Sequence, residues 1–258
     1  MSTVTETGTV SLAPRPASGG PALQLPSSGP DPLPFDTALA AVRGYARGKR
    51  PLRYRSPNER DGRWVLVAAF SHDRFDLRPV PAGPLGDDDV LVAEGVHGRL
   101  DPAGWQAVRR ALDDAQPVAD ALVERAAGRA LDELPDEEFS VLGEPGTVGA
   151  ALRSLAALPG DTPRYVCAAL HHRHPALVPL TDRATRLQLL PHVREGDSGP
   201  AAVVHRELRA DAAAFAALED AARGEGIGLT RLRLHDVLLW LTSTLRFTHA
   251  AALGAALG

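Results

Sequence analysis

From Phe35 onward, apolar residues recur three or four positions apart and almost nowhere alternate, and this spacing restricts the fold more than any other feature. Phe35, Leu39, Val42 and Ala46 predict a first helix, which Gly48 ends. Asp101 followed by Pro102 supplies an N-cap and a proline at the first helical position, and Trp105, Val108 and Leu112 continue one face. Further helices are expected at about 116 to 130, 147 to 157, 163 to 173 and 182 to 190. An alanine-rich helix is expected over roughly 200 to 222. A last one starts near Thr230 and carries Leu234, Val237, Leu238 and Leu241. The run from Trp64 to Phe70 fits a short buried strand and a helical piece equally well, so a short β element is allowed near 64–92. The expected class is all-α or predominantly α, with no repeat of fixed period.

Seven prolines fall between Pro14 and Pro34 among serines and glycines, so residues 1–34 are expected to form a disordered leader before a single domain over 35–258. With 258 residues, 44% of them hydrophobic, the chain can bury one sizeable core. No stretch approaches the roughly 20 apolar residues of a membrane span, and the first thirty residues lack a signal peptide's basic start and apolar core. A cytoplasmic protein without membrane partners is the expectation. Cys167 is the only cysteine, which excludes disulfides within the chain, a four-cysteine zinc site and an iron–sulfur cluster on its own cysteines. Lys49 is the only lysine and lies in an arginine-rich stretch, a poor position for Schiff-base chemistry. The net charge of −4 argues against indiscriminate coating of nucleic acid, because such binding neutralises many phosphates; any nucleic-acid contact must be local.

The segment from Leu158 to Arg186 carries the chemistry. Leu158-Pro159-Gly160-Asp161-Thr162-Pro163-Arg164 forms a glycine-containing turn that opens a helix, an arrangement that suits a phosphate and equally makes an ordinary helix–turn–helix corner. Asp182 follows Gly160 by 22 residues, just past Pro179, at the next helix start. Leu158-Pro159-Gly160, Pro163-Arg164 and Val178-Pro179-Leu180-Thr181-Asp182-Arg183 together resemble the helix-hairpin-helix DNA glycosylases. In that superfamily a hairpin grips the DNA backbone and a catalytic aspartate follows at about this distance. The resemblance implies a helical fold with a hairpin core over about 147–190, Asp182 as catalytic carboxylate, and backbone contacts from Gly160, Thr162 and Arg164. Asp161 and Thr162 stand where the hairpin usually has valine and a second glycine. Arg164 stands where bifunctional members carry a lysine nucleophile, which implies a monofunctional hydrolase.

If Asp182 is catalytic, it stabilises the positive charge that builds on the sugar as an N-glycosidic bond breaks; otherwise it caps its helix, worth about 1 kcal/mol. Arg164, Arg173, Arg183 and Arg186 give the segment a local charge of +3, either a phosphate-contacting set or a solvated face. Tyr165, Arg74, Asp236 and Trp240 are further pocket candidates. Asp236, inside an apolar helix, should be paired, by default with an arginine. His171 and His174 share a face but lack a matched carboxylate, so they are read as surface histidines and no metal is expected. Asp87, Asp88 and Asp89 are read as a Gly-flanked acidic turn, and Cys167 as core. No Walker loop, nucleophile elbow or dinucleotide fingerprint occurs, and no cofactor is implied.

The whole chain also resembles an uncharacterised actinobacterial family, through Phe70–Asp76, Asp88–Glu94, His174–Asp182 and Leu232–Trp240. That resemblance carries no activity. Three functions therefore stand open: a glycosylase-like protein acting on or binding a nucleobase or nucleoside in DNA, a small-molecule enzyme of specialised metabolism on the same fold, and a non-catalytic DNA-binding module.

Overall fold

The structure, a computed structural model, describes residues 21–55, 61–141 and 145–258. Among them lie ten α-helices and one two-stranded antiparallel sheet: α1 (Phe35–Arg47), β1 (Lys49–Tyr54), β2 (Arg63–Ala68), α2 (Asp87–His97), α3 (Pro102–Ala126), α4 (Val148–Ala156), α5 (Thr162–Arg173), α6 (Arg183–Leu189), α7 (Pro200–Ala210), α8 (Ala212–Gly224), α9 (Arg231–Ser243) and α10 (Phe247–Ala255). The fold is predominantly helical with a short β element. Among the described residues no helix is long and apolar enough to cross a membrane.

The core is built around α9. Nine of its residues are buried, including Leu232, Leu234, Val237, Leu238 and Leu241, and α1, α6, α7, α8 and α10 all pack on it. A helix apolar on every side belongs inside a domain. The polar residues that this helix also carries, Arg233, His235 and Asp236, are therefore drawn into the interior. Thr230 caps it, its Oγ1 accepting from the Arg233 N–H at 3.2 Å.

Three helix boundaries differ from expectation. Residues 102–126 form one continuous helix, not two, although Pro117 lies inside it. Pro117 is exposed, so water can satisfy the carbonyl that its missing N–H leaves free, while Ala115, Ala119 and Leu122 keep the buried stripe intact. The alanine-rich stretch is two helices, α7 and α8, parted at Asp211, whose carboxylate accepts the Gln24 N–H. Beyond α9 the chain turns back through Leu245 at φ 57° into α10, a helix the spacing did not announce.

That last helix fastens α1. A Cβ on Gly44 would lie 1.8 Å from the Ala250 carbonyl oxygen, and one on Gly254 would lie 1.8 Å from that of Ala40. The two backbones approach as closely as they do because neither glycine has a side chain.

Of the expected leader, residues 1–20 lie outside the described residues, but 21–34 pack on the domain. Leu23 and Leu25 are buried, Leu23 pairs with Leu33, and Ser27 donates its N–H and its hydroxyl to Glu207, each at 2.8 Å. Two leucines and a buried acceptor outweigh a proline-rich composition. The run from Trp64 is a strand, as one reading allowed, but not a buried one: Trp64 and Leu66 are each 70% exposed. Asp87, Asp88 and Asp89 form the first turn of α2 in place of a separate acidic turn, with Asp89 buried and its carboxylate accepting the Gly86 N–H.

Candidate functional site

Four segments far apart in sequence meet beside the middle of α9. They are α1 with Tyr45, the turn with Ser71, the end of α2 with His97, and the approach to α6 with Leu180 and Asp182. With Arg233, Asp236 and Trp240 they line a narrow cleft holding about 340 Å³ of empty space, part of it open to solvent.

The approach to α6 is held by α9 itself. Asp236 Oδ2 accepts the Leu180 N–H at 2.7 Å, so the residue two positions before Asp182 is fixed to the core helix. The expected arginine partner of Asp236 does not occur. Its second neighbour is His171, at 3.6 Å, which lies too far for a direct hydrogen bond. Asp236 Oδ1 is buried and makes no direct hydrogen bond among the described residues, but it faces the His235 ring at 3.8 Å, whose charge it supports.

Arg233, one turn earlier, is bound elsewhere. Its Nε donates to Asp76 Oδ1 at 2.6 Å and its Nη2 to the Tyr45 hydroxyl at 2.7 Å, while Tyr45 donates to Asp76 Oδ2 at 2.6 Å. Burial favours the neutral acid, but Arg233 outweighs it and holds Asp76 below the usual carboxylate range. Burial likewise pushes the Tyr45 phenol up, and it stays protonated. The triad is thus a closed ion pair with one polar face on the cleft.

Asp182 caps α6 and lines the cleft at once. Its Oδ1 accepts the Thr185 N–H at 2.8 Å, completing a capping box, and no hydrogen bond to Oδ2 occurs among the described residues. His97 faces it. Burial, then the Arg164 charge, lower His97 to about 4 against the opposing pull of Asp182, so the ring is neutral near pH 7 and its buried Nε2 has no partner among the described residues. Asp182, with one carboxylate oxygen free of hydrogen bonds among the described residues, His97, whose Nε2 has no partner among them, and Asp236 therefore line one cleft. Buried polar groups without partners are rare in native proteins and call for something that bonds them.

The other sequence candidates are placed as follows. Asp236 and Trp240 line the cleft as expected. Tyr165 stands behind the wall, its ring edge-on to His97 at 5.3 Å and its hydroxyl donating to the Gly98 carbonyl at 3.1 Å. Arg74 is not in the cleft: its side chain is exposed, and its carbonyl lies against Gly95 of α2. Arg173 is not available to a phosphate, because its guanidinium is engaged by Asp89 at 2.6 and 2.7 Å and by the Gly83 and Pro84 carbonyls.

Gly160 adopts φ 64° with open space over its Cβ position, and the Thr162 hydroxyl donates to the Pro159 carbonyl at 2.5 Å. Arg164 pairs with Asp161 at 3.0 Å and stacks over Tyr165; Arg183 and Arg186 are exposed, the latter reaching the Ala156 carbonyl. His171 and His172 are not surface histidines. α5 is packed by α2, α3 and α4, which buries both, and His171 Nδ1 donates to the Val178 carbonyl at 2.6 Å. Cys167 packs beside the core, and burial pushes its thiol up to about 11.

Tyr45, Ser71, His97 and Arg233 were not picked out from sequence as site residues. A signal for two of them was present: of the four segments that carried the actinobacterial resemblance, Phe70–Asp76 supplies Ser71 and Leu232–Trp240 supplies Arg233, and His174–Asp182 reaches the same cleft. The family model described as "Family of unknown function (DUF6308)" matches residues 58–243, which include every cleft residue named above except Tyr45. No curated protein and no solved structure matches the chain.

Proposed function

The chain belongs to the DUF6308 family, whose function is unknown, and from its site we propose that it is a DNA glycosylase-like protein that binds a nucleobase or nucleoside unit of DNA in the α9 cleft, with Asp182 as its working carboxylate. One observation carries this reading. Asp182 has one oxygen locked by Thr185 and the other free beside the cleft, so capping and chemistry are compatible roles of one side chain.

A carboxylate so fixed stabilises the positive charge that grows on the sugar as the C1′–N bond breaks and its electron pair leaves on the base nitrogen. Water then bonds through oxygen to C1′, and its proton ends on the departing base. His97, whose Nε2 has no partner among the described residues, would receive the polar edge of the base. A duplex substrate would have to deliver that base unstacked. Support for a nearby phosphate comes from the left-handed Gly160 turn with open space above it and from the exposed Arg183 and Arg186.

The test compares wild type with Asp182→Asn on undamaged and damaged oligonucleotides at two salt concentrations, with alkaline strand cleavage read in parallel. Asparagine is as good an N-cap as aspartate, so the fold should survive and a loss of cleavage would report chemistry. Absence of binding even at low salt overturns the reading. A second reading, a small-molecule enzyme that takes a free nucleoside in the same cleft, is favoured by the engagement of Arg173 with Asp89 and by the exposed Asp161 beside Gly160. Release of free base from nucleosides by wild type, without DNA binding, would select it.

A further inference from the structure

The ribbon of β1 and β2 has no role in the cleft and an unusual surface. Its strands pair from Lys49↔Ala68 to Tyr54↔Arg63. Every residue of β1 is exposed, and in β2 only Val65 and Val67 are half-buried. Because side chains alternate across a strand, Val65 and Val67 mark the inner face, and the cross-strand pairs Arg53↔Trp64 and Pro51↔Leu66 mark the outer one. Large apolar side chains left this open, on a ribbon that has only two strands, call for a partner.

Charge identifies the kind of partner. The described residues 49–55 and 61–63 hold five basic residues (Lys49, Arg50, Arg53, Arg55, Arg63) against the single acid Asp61, a net +4, whereas the whole chain carries −4 and the remainder therefore −8. No ion pair engages Lys49, Arg50, Arg53 or Arg63 among the described residues. On the outer face cation and ring are neighbours: Arg53 stands opposite Trp64, with Lys49 on the same face, while the Arg63 guanidinium lies 5.9 Å over the Tyr54 ring on the inner one. Arginines that follow a phosphate backbone, alternating with rings on which bases stack, describe a single-stranded nucleic-acid platform.

The ribbon also springs from the cleft wall. Tyr45 lies four residues before its first strand begins, and Ser71 three residues after the second ends. A strand threaded along the ribbon would be led to the cleft. We propose that the outer face of this ribbon is a nucleic-acid-binding arm that holds the single strand flanking the base in the cleft, through Lys49 and Arg53 to phosphates and Trp64 to a base. The inference rests on the reading of DNA as the partner, and its test does not use the cleft chemistry.

The experiment measures fluorescence anisotropy of a labelled single-stranded oligothymidine with the full chain, with Trp64→Ala and with Lys49→Gln/Arg53→Gln, across a salt series. All three substituted residues are exposed, so thermal melting should be unchanged. Trp64→Ala should weaken binding roughly tenfold through lost stacking. The Lys49→Gln/Arg53→Gln variant should flatten the plot of log affinity against log salt by about 1.4, two lost contacts at about 0.7 each. Strand binding that all variants share equally would overturn the arm while leaving DNA as partner. Arm-dependent binding without base excision would uphold the arm while the glycosylase reading fails. If wild type ignores the oligonucleotide but sediments with phosphatidylserine vesicles, or forms dimers that Trp64→Ala dissolves, the arm serves another surface and the inference falls.

Discussion

Replacing Asp76 by alanine tests whether the triad beside the cleft is a structural ion pair or a loosely held cation. Asp76 and Arg233 are each about 6% exposed, and the carboxylate accepts from Arg233 Nε at 2.6 Å, from Arg233 Nη2 at 3.2 Å and from the Tyr45 hydroxyl at 2.6 Å. Removing the acid leaves a guanidinium in the interior with one hydroxyl as its remaining hydrogen-bond neighbour. An uncompensated buried charge of this kind costs ~3–5 kcal/mol. For a chain of this size each kcal/mol lowers Tm by roughly 2–4 °C, so Asp76→Ala should melt about 6–20 °C below wild type. The companion variant Asp76→Leu/Arg233→Met removes both charges and should recover most of that loss, since an apolar pair of similar volume is often neutral. Differential scanning calorimetry at pH 7 reads all three proteins. A fall of less than about 2 °C for Asp76→Ala would refute the reasoning, because water would then be solvating Arg233 where the structure buries it. If the double variant is stable but no longer binds in the cleft, the ion pair is there for the site and not for the fold.

Three further outcomes are expected. Burial lowers His171 to about 4, so its contribution, roughly 3 kcal/mol, is present above pH 6.5 and is lost as pH falls through 4; burial opposes the charge on His235, but Asp236 and Glu207 raise it to about 9, so its contribution is present below 6.5 and is lost as pH rises through 9. Tm measured from pH 4 to 10 should therefore peak near 6.5, and a flat profile between 6.5 and 9 would contradict the His235 assignment. Gly44→Ala must displace the Ala250 carbonyl and should cost about 3 kcal/mol or more, with early proteolytic release of α10; a loss under 0.5 kcal/mol, roughly the noise of surface substitutions, would mean the helices are not seated as described. The Cys167 thiol, held up to about 11 by burial, should resist alkylation at pH 8 until the protein is unfolded by denaturant. Labelling at the rate of a free thiol would place it at the surface.

The helices with chemical punctuation were legible. Asp101 with Pro102, Thr147, Asp182 and Thr230 each cap the helix that their position announces. The turn into α10 has no such mark, because Leu245, with neither glycine's freedom nor an amide side chain, takes the left-handed conformation. The β element was ambiguous for a related reason: Trp64, Val65, Leu66, Val67 and Ala68 are apolar at both parities, so alternation could not show. Within the site, Asp182, Asp236 and Trp240 were visible as single residues of unusual context. Tyr45 and His97 were not, since each is an ordinary residue of its own helix and becomes part of a wall only when α1 and α2 meet α9. The histidines of α5 misled by their composition: a polar run reads as surface, yet three helices close over it.

The seam between Gly44 and Gly254 sets the order in which this molecule can be made. Helix α1 leaves the ribosome early, but the surface that covers it arrives with α10, roughly 200 residues and ~10–40 s of synthesis later. Through that interval the face of α1 that meets α10 has no lasting cover. The fold cannot be banked in halves as it emerges, and the cleft, which takes one wall from α1 and its floor from α9, comes into being only as the two ends of the domain clasp.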